Sequence, residues 1–196
     1  MKCLLVDLEG VLVSGKRRKY HSWLESLSAD PSKVQEIYQK LTWDLFRGKI
    51  SCNKAVKTIN DSLGTKIPTK EFFKQRTEYP FVNQEVINFA KEMKSKGVKV
   101  YLISDISKYS WRFVKKRYLF LKIFNQKILS FNTGFRKEQP EYYTYLEKRL
   151  HCNKKDMLLI DDKLENILTA KKEGLNVIHF TENIKLNHAK IKRLFN

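Results

Sequence analysis

The chain of 196 residues carries 39 Lys and Arg against 21 Asp and Glu, a formal charge of +18 with a pI near 9.8. That length and a hydrophobic content of 42% suffice for a buried core, in one domain with an insertion or in two small ones. No apolar run is long enough to span a bilayer and acidic Asp7 comes too early for a secretory signal, so a soluble, cytoplasmic protein without a membrane partner is expected.

The three cysteines, Cys3, Cys52 and Cys152, are far apart and form neither a CxxC nor a Cys/His zinc pattern, which fits a reducing compartment. Basic runs at 16–19, 115–117 and 190–193 would attract polyanions, but no nucleic-acid-binding signature accompanies them. Solvated basic helix faces are the favoured reading, and nucleic acid is the less favoured partner. Nothing in the pattern indicates an oligomeric state.

Cys3 to Val6 is the first of five short apolar runs that read as buried strands; the others are Val98 to Ile103, Lys127 to Phe131, Met157 to Ile160 and Asn176 to Phe180. Between the first and second lies about half the chain, far more than one crossover helix needs. Helical patterns fill it at His21 to Leu27, Lys33 to Arg47, Ser51 to Leu63 and Thr69 to Arg76. Ser32 and Ser51 stand where N-caps would, and Gly48 and Gly64 where helices would end. Beyond the insert, Asn83 to Lys96 places Val86, Phe89, Ala90 and Met93 at helical spacing before Gly97. Pro140 opens a helix with Tyr143, Leu146 and Leu150, and a helix from Leu164 to Glu173 closes on Gly174. Alternating strands and helices predict an α/β fold with a Rossmann-like parallel sheet, residues 1–16 and 78–196, and a small helical cap domain, residues 17–77, over its carboxyl edge. Residues Asn183 to Phe195 read as a last helix docked through Ile184, Ile191, Leu194 and Phe195, with a basic amphipathic surface helix as the alternative.

The strand ends carry the chemistry. Asp7 and Glu9, followed by Gly10, offer a nucleophile and a proton donor on one side of a strand, or a turn cap and a solvated acid. Ser104 ends the second strand as an anion-binding hydroxyl or as the N-cap of a helix beginning near Ile106. Lys137, just before the helix opened by Pro140, is placed to meet an anion or to lie in solvent. The pair Asp161-Asp162 suits a hard, oxygen-loving cation such as Mg²⁺, or else caps the next helix.

In this order the fragments resemble the haloacid dehalogenase-like hydrolase superfamily, in the subfamily I branch with a helical C1-type cap inserted after the first motif. The carriers are Leu5-Val6-Asp7-Leu8-Glu9-Gly10-Val11-Leu12, Ile103-Ser104-Asp105, Arg136-Lys137-Glu138-Gln139-Pro140-Glu141-Tyr142-Tyr143 and Ile160-Asp161-Asp162-Lys163-Leu164-Glu165-Asn166. Tyr79-Pro80-Phe81-Val82-Asn83, where such chains leave the cap, and Gly48-Lys49-Ile50-Ser51 inside it match as well.

The resemblance implies a Mg²⁺-dependent phosphatase acting on a small phosphorylated metabolite. Asp7 would form an aspartyl-phosphate, and Glu9 would protonate the leaving oxygen and then activate water. Ser104 and Lys137 would hold the phosphoryl oxygens, and Asp7, the Glu9 carbonyl, Asp161 and Asp162 would hold the metal. Two positions depart from the usual pattern: Glu9 stands where Asp is common, and Asp105 where Asn is common. Asp105, at the substrate-binding edge, would repel phosphate unless Lys108 or Lys137 neutralises it, or else points away as a helix cap. Glu9 and the Asp161-Asp162 pair favour phosphate over the metal-free dehalogenase branch. Among Arg17, Arg18, Tyr20, Trp23, Trp43 and Arg47 of the insert, the arginines Arg17, Arg18 and Arg47 are the candidate anion contacts. A phosphotransferase or mutase, and a catalytically weak fold that binds polyanions, are the alternative readings.

Overall fold

The computed structural model describes residues 2–15 and 18–181, with only the main chain of Arg18. Arg17, the Arg18 side chain and the segment Asn183 to Phe195, each singled out above, lie outside the described residues. Among the described residues no helix is long and apolar enough to cross a membrane.

Five parallel strands, β1 (Cys3–Asp7), β4 (Lys99–Ser104), β5 (Gln126–Leu129), β6 (Met157–Asp161) and β7 (Asn176–His179), form one sheet in the order β5-β4-β1-β6-β7. Alternation along the strands splits the core in two. Leu4, Val6, Val100, Leu102, Leu158 and Ile160 join a cluster on one face, whereas Cys3, Leu5, Tyr101, Ile103, Met157 and Leu159 join one on the other. Both faces are covered, which is why these strands read as unbroken apolar runs. Helix α5 (Gln84–Ser95) packs Val86, Phe89, Ala90 and Met93 into the first cluster, and α8 (Pro140–Leu150) packs Tyr142, Tyr143 and Leu146 into the second.

The inserted stretch is helical: α1 (Arg18–Ser26), α2 (Pro31–Phe46), α3 (Cys52–Leu63) and α4 (Thr69–Arg76). It has an apolar cluster of its own, centred on Tyr20, Leu24, Val34, Tyr38, Ile59, Phe72 and Phe73. Tyr109 and Phe113 of α6 (Lys108–Arg117) pack against it, and the Phe73 and Tyr109 rings stack with centroids 5.8 Å apart. A two-stranded antiparallel ribbon, β2 (Val13–Ser14) with β3 (Phe81–Val82), ties the outgoing chain to the returning one.

Three local expectations need correction. Lys127 to Phe131 is not strand throughout: β5 stops at Leu129, and Ser130–Thr133 form a short helical turn, α7, closed by Gly134 at φ 76°. The buried Ser130 hydroxyl accepts from the Ile106 N–H (3.0 Å), a bond the turn conformation supplies. Ser32 is not the cap of α2, because Pro31 fits the first helical turn and Asp30 caps it, accepting from the Ser32 N–H at 2.8 Å. Ser104 caps no helix either; Ser107 caps α6, accepting from the Ser110 N–H. Ser51 does cap α3, accepting from the Lys54 N–H.

Candidate active site

Register brings the four fragments together. Asp7 pairs with Ile103, so Ser104 lies one residue beyond it on the neighbouring strand. On the other side Val6 pairs with Ile160, which sets Asp161 level with Asp7. β1 ends at Asp7, and Glu9 reaches the same chamber through a tight turn in which the Gly10 N–H donates to the Val13 carbonyl (2.8 Å). The shared side of Asp7 and Glu9 is thus a product of the turn and not of strand pleating.

Asp7, Asp161 and Lys137 are 4%, 0% and 2% exposed, so their charges interact through little solvent. The Lys137 ammonium bridges the two acids, with Nζ 2.7 Å from Asp7 Oδ1 and 2.5 Å from Asp161 Oδ2. Burial works against the Lys137 charge, but Asp161, Asp7 and Asp105 outweigh it and hold the ammonium protonated well above its usual range. Burial pushes the Asp7 carboxyl well up; Lys137 opposes this, and Asp161 and Asp162 add to it. Asp162 is raised chiefly by burial and then by Asp161. Asp161 also accepts from the Lys163 N–H and the Asn166 amide, both at 2.9 Å, so Asp161 and not Asp162 organises the start of α9 (Leu164–Lys172).

Asp105 does not cap a helix. Its carboxylate faces the Lys137 main-chain N–H at 3.3 and 3.4 Å and the Arg136 Nε at 3.6 Å, and Arg136 also meets Glu138 at 3.3 Å. It braces the loop that carries Lys137, and its neutralising partners are Arg136 and Lys137, not Lys108. Arg47 does not line the chamber: its Nε donates to the Gly134 carbonyl (2.9 Å), and its guanidinium lies over Trp43.

The chamber has a volume of about 310 Å³. Asp7, Ser104, Asp105, Lys137 and Asp162 form its floor, with Glu9 at the side; Gln35, Gln39, Thr42 and Phe46 of α2 and Arg76 at the end of α4 form the opposing wall. That wall escaped the sequence reading, although Gln35, Gln39, Thr42 and Phe46 recur at helical spacing alongside the buried stripe Val34, Tyr38 and Leu45. The contact of Tyr79 with Glu9 escaped it too, although Tyr79 opens the stretch that matches the exit from the cap. Tyr79 lies on the returning linker, is buried, and donates its hydroxyl to Glu9 Oε2 at 2.8 Å, while its own carbonyl accepts from the Tyr118 hydroxyl at 3.3 Å.

Carboxylate oxygens of Asp7, Asp161 and Asp162 lie within 4.8 Å of one another. Three acids against one ammonium leave the cluster short of positive charge, and the buried Asp162 Oδ1 has no hydrogen-bond partner. An all-oxygen set of this kind fits a hard divalent cation. Gly10 lets it close: a Cβ there would lie 2.2 Å from the Asp162 carboxyl carbon, and its φ of +93° disfavours any side chain.

Comparison with known proteins agrees with this arrangement. The family model of haloacid dehalogenase-like hydrolases matches residues 1–174. A sesquiterpene phosphatase of Aspergillus oryzae is 26% identical over 152 residues, 76% of each chain. Among solved structures, a family enzyme of Bacteroides thetaiotaomicron, determined with magnesium and inorganic phosphate, superposes with a TM-score of 0.79 at 19% identity, covering 96% of this chain and 98% of that one. A HAD-like hydrolase of Porphyromonas gingivalis gives a TM-score of 0.82 at 16% identity, over 100% of this chain and 98% of that one. A parallel sheet in the same fold and a family match over most of the length lead to one conclusion: the chain belongs to the haloacid dehalogenase-like hydrolases.

Proposed function

We propose that the protein is a Mg²⁺-dependent phosphatase that hydrolyses a small phosphorylated substrate through an aspartyl-phosphate at Asp7. The observation that carries this reading is the buried cluster at the strand ends, where Lys137 bridges Asp7 and Asp161 and Asp162 keeps an unpartnered oxygen. The phosphatase activity of the Aspergillus relative and the magnesium and phosphate bound by the Bacteroides enzyme support it.

Asp7, Asp161 and the main-chain carbonyl of Glu9 would hold the ion, with Asp162 beside them. When bound, it offsets the charge between an anionic nucleophile and an anionic phosphate. The Ser104 hydroxyl and the Lys137 ammonium grip phosphoryl oxygens. An Asp7 oxygen attacks phosphorus as the bond to the leaving oxygen breaks, and Glu9 gives that oxygen a proton. Water then attacks the phosphorus of the aspartyl-phosphate and Glu9 takes its proton. The bond to Asp7 breaks, releasing inorganic phosphate and restoring the Asp7 carboxylate and the protonated Glu9. Helices α1 to α4, within residues 17–77, serve as the cap that screens this chemistry from bulk water.

Hydrolysis of an aryl phosphate tests the reading. Turnover is expected to require Mg²⁺, to stop on chelation and to fall by at least about 10³-fold in Asp7→Asn. Wild-type turnover by that variant would overturn it.

A further inference from the structure

The chamber wall that faces Asp7 carries the aromatic rings of Tyr38 and Phe46, and its other groups are polar and arranged. Gln35, Gln39 and Thr42 stand on one face of α2 at intervals of four and three residues, presenting two amides and a hydroxyl. The Thr42 hydroxyl donates back to the Gln39 carbonyl at 2.7 Å and so keeps acceptor lone pairs. Arg76 completes the wall. Its Nη1 donates to Gln35 Oε1 at 2.9 Å and lies 3.1 Å from the Tyr20 hydroxyl, while its guanidinium rests 3.9 Å above the Tyr38 ring. Such a clamp sets the donor geometry before a ligand arrives. Among the described residues no aliphatic side chain lines the chamber.

Resting on the phosphatase reading above, we propose that the leaving group is a compact polyol, so that the substrate is a phosphorylated sugar or polyol and not a terpenoid phosphate. A hydrocarbon chain would displace water from the amides and the hydroxyl and return no hydrogen bonds, whereas hydroxyl groups replace that water. Sites built to hydrogen-bond a substrate reject analogues without the matching groups far more strongly than apolar pockets reject polar ones. The volume agrees, since about 310 Å³ lies at the small end of ligand sites. Charge in the chamber is balanced, Asp7, Glu9, Asp105 and Asp162 standing beside Arg76, Arg136, Lys137 and Lys163, so the hydrogen-bonding groups of the wall decide the leaving group. The chain therefore parts in substrate from its Aspergillus relative, whose name specifies a sesquiterpene phosphatase.

The test compares kcat/KM for glucose 1-phosphate, glucose 6-phosphate, glycerol 3-phosphate, 3-phosphoglycerate, farnesyl monophosphate and p-nitrophenyl phosphate, all with Mg²⁺. At least one of the three sugar or polyol phosphates should exceed farnesyl monophosphate by on the order of 100-fold. Gln39→Leu, at an exposed helix position, should lower the ratio of polyol phosphate to p-nitrophenyl phosphate about tenfold, and Gln39→Glu should not restore it. Preference for farnesyl monophosphate or for 3-phosphoglycerate, or an unchanged ratio in Gln39→Leu, overturns the inference while the phosphatase reading stands. Turnover of none of the six overturns that reading and this inference with it.

Discussion

Tyr79 holds Glu9: the phenol donates across 2.8 Å to a carboxylate 70 positions earlier in the chain. The bond joins the linker that returns from the helical layer to the proposed acid and base. Because a glutamate is one methylene longer than the usual aspartate, a fixed partner restricts where its carboxylate can sit. Tyr79→Phe should therefore lower kcat/KM threefold to tenfold, as expected for the loss of about 0.5–1.5 kcal/mol of hydrogen bonding. The loss should be larger for alkyl phosphates, whose leaving oxygen needs the proton, than for p-nitrophenyl phosphate. Equal losses on both would assign Tyr79 a purely structural role.

Lys137 supplies the ammonium that bridges two buried acids. Lys137→Met, which keeps length and removes charge, should destabilise the fold by about 3–5 kcal/mol at neutral pH in the absence of Mg²⁺, because Asp7 and Asp161 then face each other unpaired. Urea denaturation measures this. Added Mg²⁺ should recover part of the stability without restoring turnover.

Gly10 makes room for Asp162. Gly10→Ala puts a methyl group 2.2 Å from the Asp162 carboxyl and demands an unfavourable φ of +93°. The Mg²⁺ concentration giving half-maximal activity should rise at least about tenfold, about 1.4 kcal/mol in binding. An activity titration against metal is the readout, with circular dichroism to establish that the variant is folded.

Gly48, at φ +73°, is where the helical layer meets the turn after β5; a Cβ there would lie 2.8 Å from the Phe131 carbonyl oxygen. Nearby, Arg47 donates to the Gly134 carbonyl, and Arg136 lies over the Trp43 and Phe46 rings at 5.2 and 5.7 Å. Gly48→Ala should loosen this seat, raising KM severalfold with a smaller effect on kcat. A backbone cost of about 1–2 kcal/mol should accompany it in thermal denaturation.

The strand ends were legible because each couples an unbroken apolar run to a chemically distinctive residue: Asp7 after Val6, Ser104 after Ile103, Asp161 after Ile160. Parallel pairing then left one edge on which all three could meet. The end of β5 was misread because Ser130 and Phe131 continue a strand-like composition, while a buried hydroxyl bond to Ile106 decides the turn. The ribbon β2–β3 went unseen, since two residues a strand leave no periodicity to detect. The chamber wall was hidden for another reason. Gln35, Gln39 and Thr42 occupy the polar face of an amphipathic helix, and in sequence such a face reads as solvated. Only the docking of α2 over the sheet edge turns it toward Asp7. Arg47 illustrates the converse, a charge that suggested an anion and instead reaches a main-chain carbonyl.

The central claim is that Asp7 carries the phosphoryl group. Rapid acid quench during steady-state turnover of p-nitrophenyl phosphate with Mg²⁺, followed by peptide mass spectrometry, tests it most directly. The account predicts one phosphoryl group on Asp7, formed within the first turnover and absent from Asp7→Asn. A phosphorylated residue elsewhere, or full turnover by Asp7→Asn with no acyl-phosphate on the chain, would contradict it.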